Sequence, residues 1–490
     1  MLGVGRCGRG RSGAQRRARP GAAGRARGPG SGRGGRPMNE TDIKKNGTEH
    51  DMLSGPVART FARYSLPWVL SMVATGSATI VDGIFVGRYA GAMSLAGVNL
   101  VVPAWSFVSG LGIMLATGGS VRAGRHMGEG NRERASAVLI KTMLALMVLT
   151  VLICGAAFTL RGPFLDFLGA DEALRPYSSD YLTVLLLFGP VFPLCYALSY
   201  FIRVDGRPVL ASVGMGLCAA LNVALDALLV GVWGMGVRGA ALATGLAYAL
   251  PCLILASHFF SRRSSYRLLP PRAWGRWSEV LFTAWNGASE FINEISAGIV
   301  ILLFNRILIS RLGPDGVAAF TVVNYATLLG LTMFYGIGDS LAPIISVNRG
   351  ARDRARVSAF LRTALVAVVT LGVGFFVFLS LGPHLLTALF LPDAPAASAL
   401  TLNFLHACRW AFLFSGVNMV LASTFTGMQW AASSMLVAAG RSFALPVSML
   451  MLLPRRLGDI GIFYATTVSE ALTLLLAVGL FLVGRRRDRR

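Results

Sequence analysis

From Leu66 to the C-terminus the chain repeats one pattern: a run of about twenty apolar residues, then a short polar connector. A run of that length crosses a hydrocarbon core of ~30 Å as an α-helix. Twelve runs can be read, over 62–87, 95–121, 137–160, 180–202, 208–231, 236–260, 284–310, 317–346, 357–381, 400–426, 432–454 and 460–484. A polar segment at 261–283 divides them six from six. The period-2 alternation in ~10-residue segments that marks a transmembrane barrel is not found. The pattern therefore predicts an all-α polytopic membrane protein of twelve helices in two six-helix lobes, 55–260 and 284–484.

Composition agrees with this reading. The 490 residues are 54% apolar and 14% charged, whereas soluble domains carry about 25% charged residues. The net charge of +23 is unevenly placed, with ten arginines between Arg6 and Arg36 and no acid before Glu40. That Gly/Arg-rich stretch has no apolar periodicity, so residues 1–54 are expected to be a disordered tail. It reads either as an RNA- or lipid-binding arm acting through phosphate contacts or as a misassigned start, with Met38 or Met52 as the true initiator. A basic tail, 485–490, closes the chain.

Charge also sets the expected orientation. The connectors after spans 2, 4, 6 and 8, with the C-terminal tail, hold twenty arginines; the alternate connectors hold seven. By the positive-inside rule both termini are expected in the cytoplasm, with the chain multi-pass in the plasma membrane. The halves also echo each other. "GNRERASAVL" at 130–139 returns as "GARDRARVSAFL" at 350–361, and both copies have the same topology. Repeated halves of this kind commonly build a site at their interface and work by alternating access.

Against this background a few polar positions stand out. Asp82 interrupts the apolar run of span 1, at a cost of about 2.5–3.5 kcal/mol on insertion scales. In "CAALNVALDALLV" of span 5, Asn222 and Asp226 are four residues apart and share a helix face. At 1.5 Å per residue, Asp82, Asn222, Asp226 and Thr244 of span 6 fall at similar depth in the outer half of the first lobe. Two carboxylates with amide and hydroxyl oxygens can exchange a proton or hold a hard cation such as Na⁺. The competing reading is structural: a capped helix break or a satisfied interhelical hydrogen bond.

The second half carries a different set. Glu290 and Glu294 are four apart in span 7, and Asp339 lies low in span 8, as a second-lobe polar site. Arg441 and Glu470 are expected to form an internal ion pair, since unpaired charges are costly at that depth. Arg409 is a further cation in span 10. The prolines at 67, 103, 190, 193, 343 and 446 are expected to interrupt helices. The cysteines at 154, 195, 218, 252 and 408 lie in apolar segments without CxxC spacing, so they read as packing residues. No Walker motif, HExxH or GxSxG is present. The chain is thus not expected to be an enzyme or to need a cofactor beyond its coupling ion.

Several blocks resemble the multidrug and toxic compound extrusion (MATE) transporters, of a bacterial branch. They include "SLPWVLSMVATGSATIVDGIFVGRYAGAMSLAGVNLVVP", "LNVALDALLVGVWGMGVRGAALAT", "GPDGVAAFTVVNY" and "RSFALPVSMLMLLP". The likeness covers about 55–484. It implies cation-driven export by rocking of two lobes. It also implies an N-lobe site of an Asp in helix 1, an Asn and Asp in helix 5 and a Thr in helix 6, matched by Asp82, Asn222, Asp226 and Thr244. The family's C-lobe site uses acids in helices 7 and 10; here helix 7 has Glu290, and helix 10 has Arg409 in place of an acid.

The expected function is a secondary antiporter exporting organic, cationic or amphipathic compounds in exchange for H⁺ or Na⁺. The alternative is a flippase for lipids or lipid-linked saccharides. The expected partners are small organic substrates and the lipid bilayer, with no nucleic acid, and the chain is expected to be a monomer.

Overall fold

The computed structural model describes residues 49–392 and 394–489. The Gly/Arg-rich stretch lies outside the described residues, so neither reading of it is addressed. Among the described residues every regular element is helical. Nine helices are long and apolar enough to span a membrane, and two bent pairs raise this to eleven. One of the nine, Ser278–Gly350, has 73 residues, about 110 Å at the rise of an α-helix, far too long for one crossing. It breaks at Gly313, whose φ of 67° only glycine adopts without strain. Pro314 follows. Counting its two arms separately gives twelve spans.

We label the spans in chain order: α1 (Val57–Ala90), α2 (Met93–Gly128), α3 (Arg132–Thr159), α4 (Arg175–Phe188 with Val191–Val204), α5 (Pro208–Val232), α6 (Gly236–Phe259), α7 (278–312), α8 (314–350), α9 (Arg354–Leu381), α10 (Pro395–Cys408 with Ala411–Gly427), α11 (Ala431–Leu457) and α12 (Ile460–Asp488). The two halves of α4 meet at 41° and those of α10 at 49°. The α4 bend falls at Gly189–Pro190, where proline removes a backbone donor. The α10 bend falls at Arg409–Trp410, without a proline. Pro67, Pro103 and Pro343 do not interrupt their helices, which run on as continuous α-helix.

Three boundaries move from their expected places. The tail set at 1–54 ends earlier, because Glu49–Ser54 is helical and held down. Met52 is buried there, and its carbonyl accepts from Asn348 Nδ2 at 3.2 Å and Arg356 Nη2 at 2.9 Å. The connector set at 261–283 gives way to α7 already at Ser278. The rest of it is fastened to the first lobe: Asp205 accepts from His258 at 2.7 Å and from the Ser265 amide at 2.9 Å. Lys141 donates to Glu279 at 2.5 Å and to the Arg276 carbonyl at 3.0 Å. The basic tail is no separate segment, since the last helix continues to Arg489.

The lobes meet mainly where α2 crosses α7 and α8. At Gly118 and Gly287 the backbones approach so closely that a Cβ on either would stand 1.9 Å from a carbonyl oxygen of the other helix. Gly128 and Gly350 form a second such crossing toward the end that carries the termini. Close approach of backbones through small residues is how helices associate without a hydrophobic driving force between them. Ser65 of α1 and Ser340 of α8 add a buried hydrogen bond between lobes, 2.8 Å long.

Candidate functional site

Asp82 lies one turn before a π-helical stretch, Val86–Ala90, that ends α1. Asp226 is the last α-helical residue of α5 before another, Ala227–Val232. A third π stretch, Gly440–Ala444, contains Arg441. A π turn inserts a residue into the helix and turns side chains off their regular stripe, and such turns gather at functional sites. The two π stretches of the first lobe touch, with Gly231 beside Tyr89 as well as Phe85 just before the stretch.

The first-lobe set comes together. The Asp82 and Asp226 side chains are neighbours near the ends of α1 and α5, close enough for each to act on the other's charge. Asp226 is fully buried, and neither of its oxygens receives a donor; Asp82 Oδ1 is also buried without one. Asn222, on the same face of α5, donates to Thr244 Oγ1 of α6 at 3.4 Å. Tyr181 of α4, buried beside both carboxylates, was missed in the sequence reading. It lies in "SSDYLTVLLLF", where a tyrosine near a membrane interface is unremarkable. Two neighbouring carboxylates shielded from water repel each other. A proton shared between them, or a cation held across them, removes the repulsion. Among the described residues no three His, Cys, Asp or Glu side chains converge as a metal site. A cation here would draw its remaining ligands from Asn222, Thr244 and water.

The second-lobe set divides. Glu290 and Asp339 line one small cavity of about 20 Å³ with Asn293, Tyr335, Ser423 and Arg441. That volume is room for about one water molecule. Glu294 is not there; it packs against Gly110 of α2, at the lobe interface. Arg441 and Glu470 form the expected ion pair at 3.0 Å, and Asn418 donates to the second Glu470 oxygen at 2.7 Å. Arg409 does not enter the cavity. It donates to Ser380 of α9 at 3.1 Å and lies over Phe376, so α10 offers only Met419, Ala422 and Ser423 to the Glu290 cavity.

Arg203 departs from its expected place. Counted above among connector arginines, it is wholly buried at the end of α4. Its guanidinium is sandwiched between Trp68, 3.8 Å from the ring centre, and Tyr200, at 4.0 Å. It donates to the Asp339 carbonyl at 3.1 Å, while Tyr200 donates to the Asp339 carboxylate at 3.0 Å. The aromatic faces compensate part of the desolvation of the cation. Only the end of the apolar run was visible in sequence, and an arginine there reads as a loop residue. Among the described residues the five cysteines are buried and unbridged, as packing residues should be.

The MatE family profile matches the chain twice, over 67–228 and 295–452, once in each lobe. The chain belongs to the MatE family. Asp82, Asn222 and Asp226 fall within the first matched segment, and Thr244 lies beyond it. Among the relatives of this MatE protein, the multidrug export protein MepA of Staphylococcus saprophyticus is 22% identical over 441 residues, 88% of this chain and 95% of that protein. An FAD transporter of Shewanella oneidensis is 23% identical over 450 residues, 89% of this chain and 96% of that one. A crystal structure of MATE in complex with MaL6 superposes with a TM-score of 0.82 at 22% identity, over 89% of this chain and 97% of that one. The outward-facing conformation of a multidrug resistance MATE transporter superposes equally well, at 0.82. The fold is thus that of MATE transporters, and this MatE protein is a multi-pass membrane transporter of that family.

Proposed function

We propose that the chain is a secondary antiporter that exports organic cations or amphipathic compounds in exchange for H⁺ or Na⁺, by alternating access of its two lobes. The observation that carries this reading is the neighbouring pair Asp82 and Asp226, the first half-buried and the second fully buried with no donor on either oxygen. Such a pair takes up a cation readily when water reaches it and gives it up when a cationic or conformational competitor arrives. The lobe contacts described lie toward the terminus-bearing side of the carboxylate level: Ser65 with Ser340, Gly118 with Gly287, Gly128 with Gly350. With the termini in the cytoplasm, this arrangement corresponds to a transporter closed toward the cytoplasm.

The acid linings of both lobes support a cationic cargo. An apolar pocket of about 540 Å³ between α2, α3, α4 and the short helix Arg161–Leu168, lined by Trp105, Phe107 and Phe164 among others, supports a hydrophobic moiety on it. The test uses proteoliposomes of the purified chain, with ethidium, FAD and a lipid-linked saccharide as alternative cargoes. Ethidium movement driven by a proton or sodium gradient, and lost in Asp82→Asn, supports the reading. Gradient-independent flipping of the saccharide, or full ion-driven ethidium efflux by Asp82→Asn, contradicts it.

A further inference from the structure

At the terminus-bearing end, a groove of about 630 Å³ opens beside α1 and α5. Its polar rim carries Arg59, Arg63, Thr60 and Asp51, and its deeper lining is Leu66, Pro67 and Val209. Asp51 contacts Arg63, which neutralises it. Arg59 is exposed and forms no ion pair among the described residues, and Arg207 caps α5 two residues before Val209. Neither helix places an acid in its first turn. The rim is therefore net positive.

Below the rim the surface turns apolar. Leu66 and Leu70, four apart on α1, are 61% and 62% exposed; Val209 and Val213, four apart on α5, are 48% and 61% exposed. Two packed helices thus present parallel apolar ladders that begin at the arginines and run toward the membrane centre. Cationic head and apolar slot are complementary to one class of molecule, a phospholipid with an anionic headgroup in the leaflet on the terminus side. A soluble phosphate would satisfy the arginines and leave the ladders without a use.

We propose that this groove binds an anionic phospholipid, its phosphate at Arg59 and Arg63 and its acyl chains along Leu66, Leu70, Val209 and Val213. A lipid there ties the first turn of α1, and the helix Glu49–Ser54 before it, to the start of α5.

The test is thermal unfolding of the purified full-length chain in detergent, titrated with phosphatidylglycerol, phosphatidylcholine or sodium phosphate. Phosphatidylglycerol should raise the Tm, and the other two should not. Arg59→Gln should shift the half-maximal lipid concentration up about fivefold, the loss of one charge contact, and Arg59→Glu further. Arg59 is exposed and has no ion pair among the described residues, so both variants should have the wild-type Tm without lipid. Native mass spectrometry should find phosphatidylglycerol retained by the wild type and lost from Arg59→Glu. Equal stabilisation by phosphatidylcholine, stabilisation by phosphate alone, or an unchanged titration in Arg59→Glu would overturn the proposal.

Discussion

Asp226 and Glu470 are both buried carboxylates, yet they are equipped differently. Each Glu470 oxygen has a donor, Arg441 Nε at 3.0 Å and Asn418 Nδ2 at 2.7 Å, whereas Asp226 has none. The first is a finished structural pair, and the second is the carboxylate that the proposed antiport would use to take up a cation. Removing one partner of the finished pair leaves a buried charge, so Glu470→Gln should destabilise the protein by about 3–5 kcal/mol, read as a lower Tm in detergent. The double variant Arg441→Met, Glu470→Met should recover most of that loss, because no charge is left unpaired. Asp226→Asn should do the reverse: fold with the wild-type Tm or a higher one, since a repelling charge is gone, and lose ion-driven transport in proteoliposomes. Depth arithmetic made the Asp82, Asn222, Asp226 and Thr244 group legible, since charges in apolar runs are few and costly. Arg203 and Tyr181 were not legible, because their roles depend on partners from other helices, and at run ends their residue types are ordinary.

Helices of this chain are regular over most of their length and irregular beside three of the charged residues inside the membrane spans. The π stretches follow Asp82 and Asp226 and contain Arg441. No hydropathy pattern reveals them, because one inserted residue changes the direction of a side chain without changing the apolar run. The twelve spans were readable, since length and apolarity alone decide them. The break at Gly313 was readable too, as the end of one run and the start of the next. Glycine contacts were not: "GLGIMLATGGS" indicates close packing, but not that Gly118 meets Gly287 across the lobes. A Cβ at Gly118 would meet the Thr283 carbonyl at 1.9 Å, which is backbone and cannot swing aside. Gly118→Val should therefore force α2 and α7 apart and lower the Tm, whereas Gly155→Val, with open space around it, should leave it unchanged.

Across the whole molecule, the two lobes are joined by contacts specific enough to be made and broken as a unit: Ser65 with Ser340, Tyr200 and Arg203 with Asp339, and Arg125 with Gln429 at 2.8 Å. If transport requires the lobes to part there, a covalent link should stop it. In a background with the native cysteines replaced, Ser65→Cys with Ser340→Cys should cross-link on oxidation, abolish transport, and recover on reduction. Asp339→Asn should weaken the same closed arrangement without removing the carboxylate pair of the first lobe, and shift labelling of a nearby cysteine probe toward the open form. The proposal of alternating access rests on the internal repeat, visible in sequence and matched by the two family segments, one per lobe. The most direct test of the account is release of the coupling ion from purified protein when cargo binds, followed with a pH dye or a sodium electrode. The account predicts ion release on adding ethidium to the wild type and none from Asp82→Asn or Asp226→Asn. Equal release from all three, or none from the wild type with either ion, would contradict it.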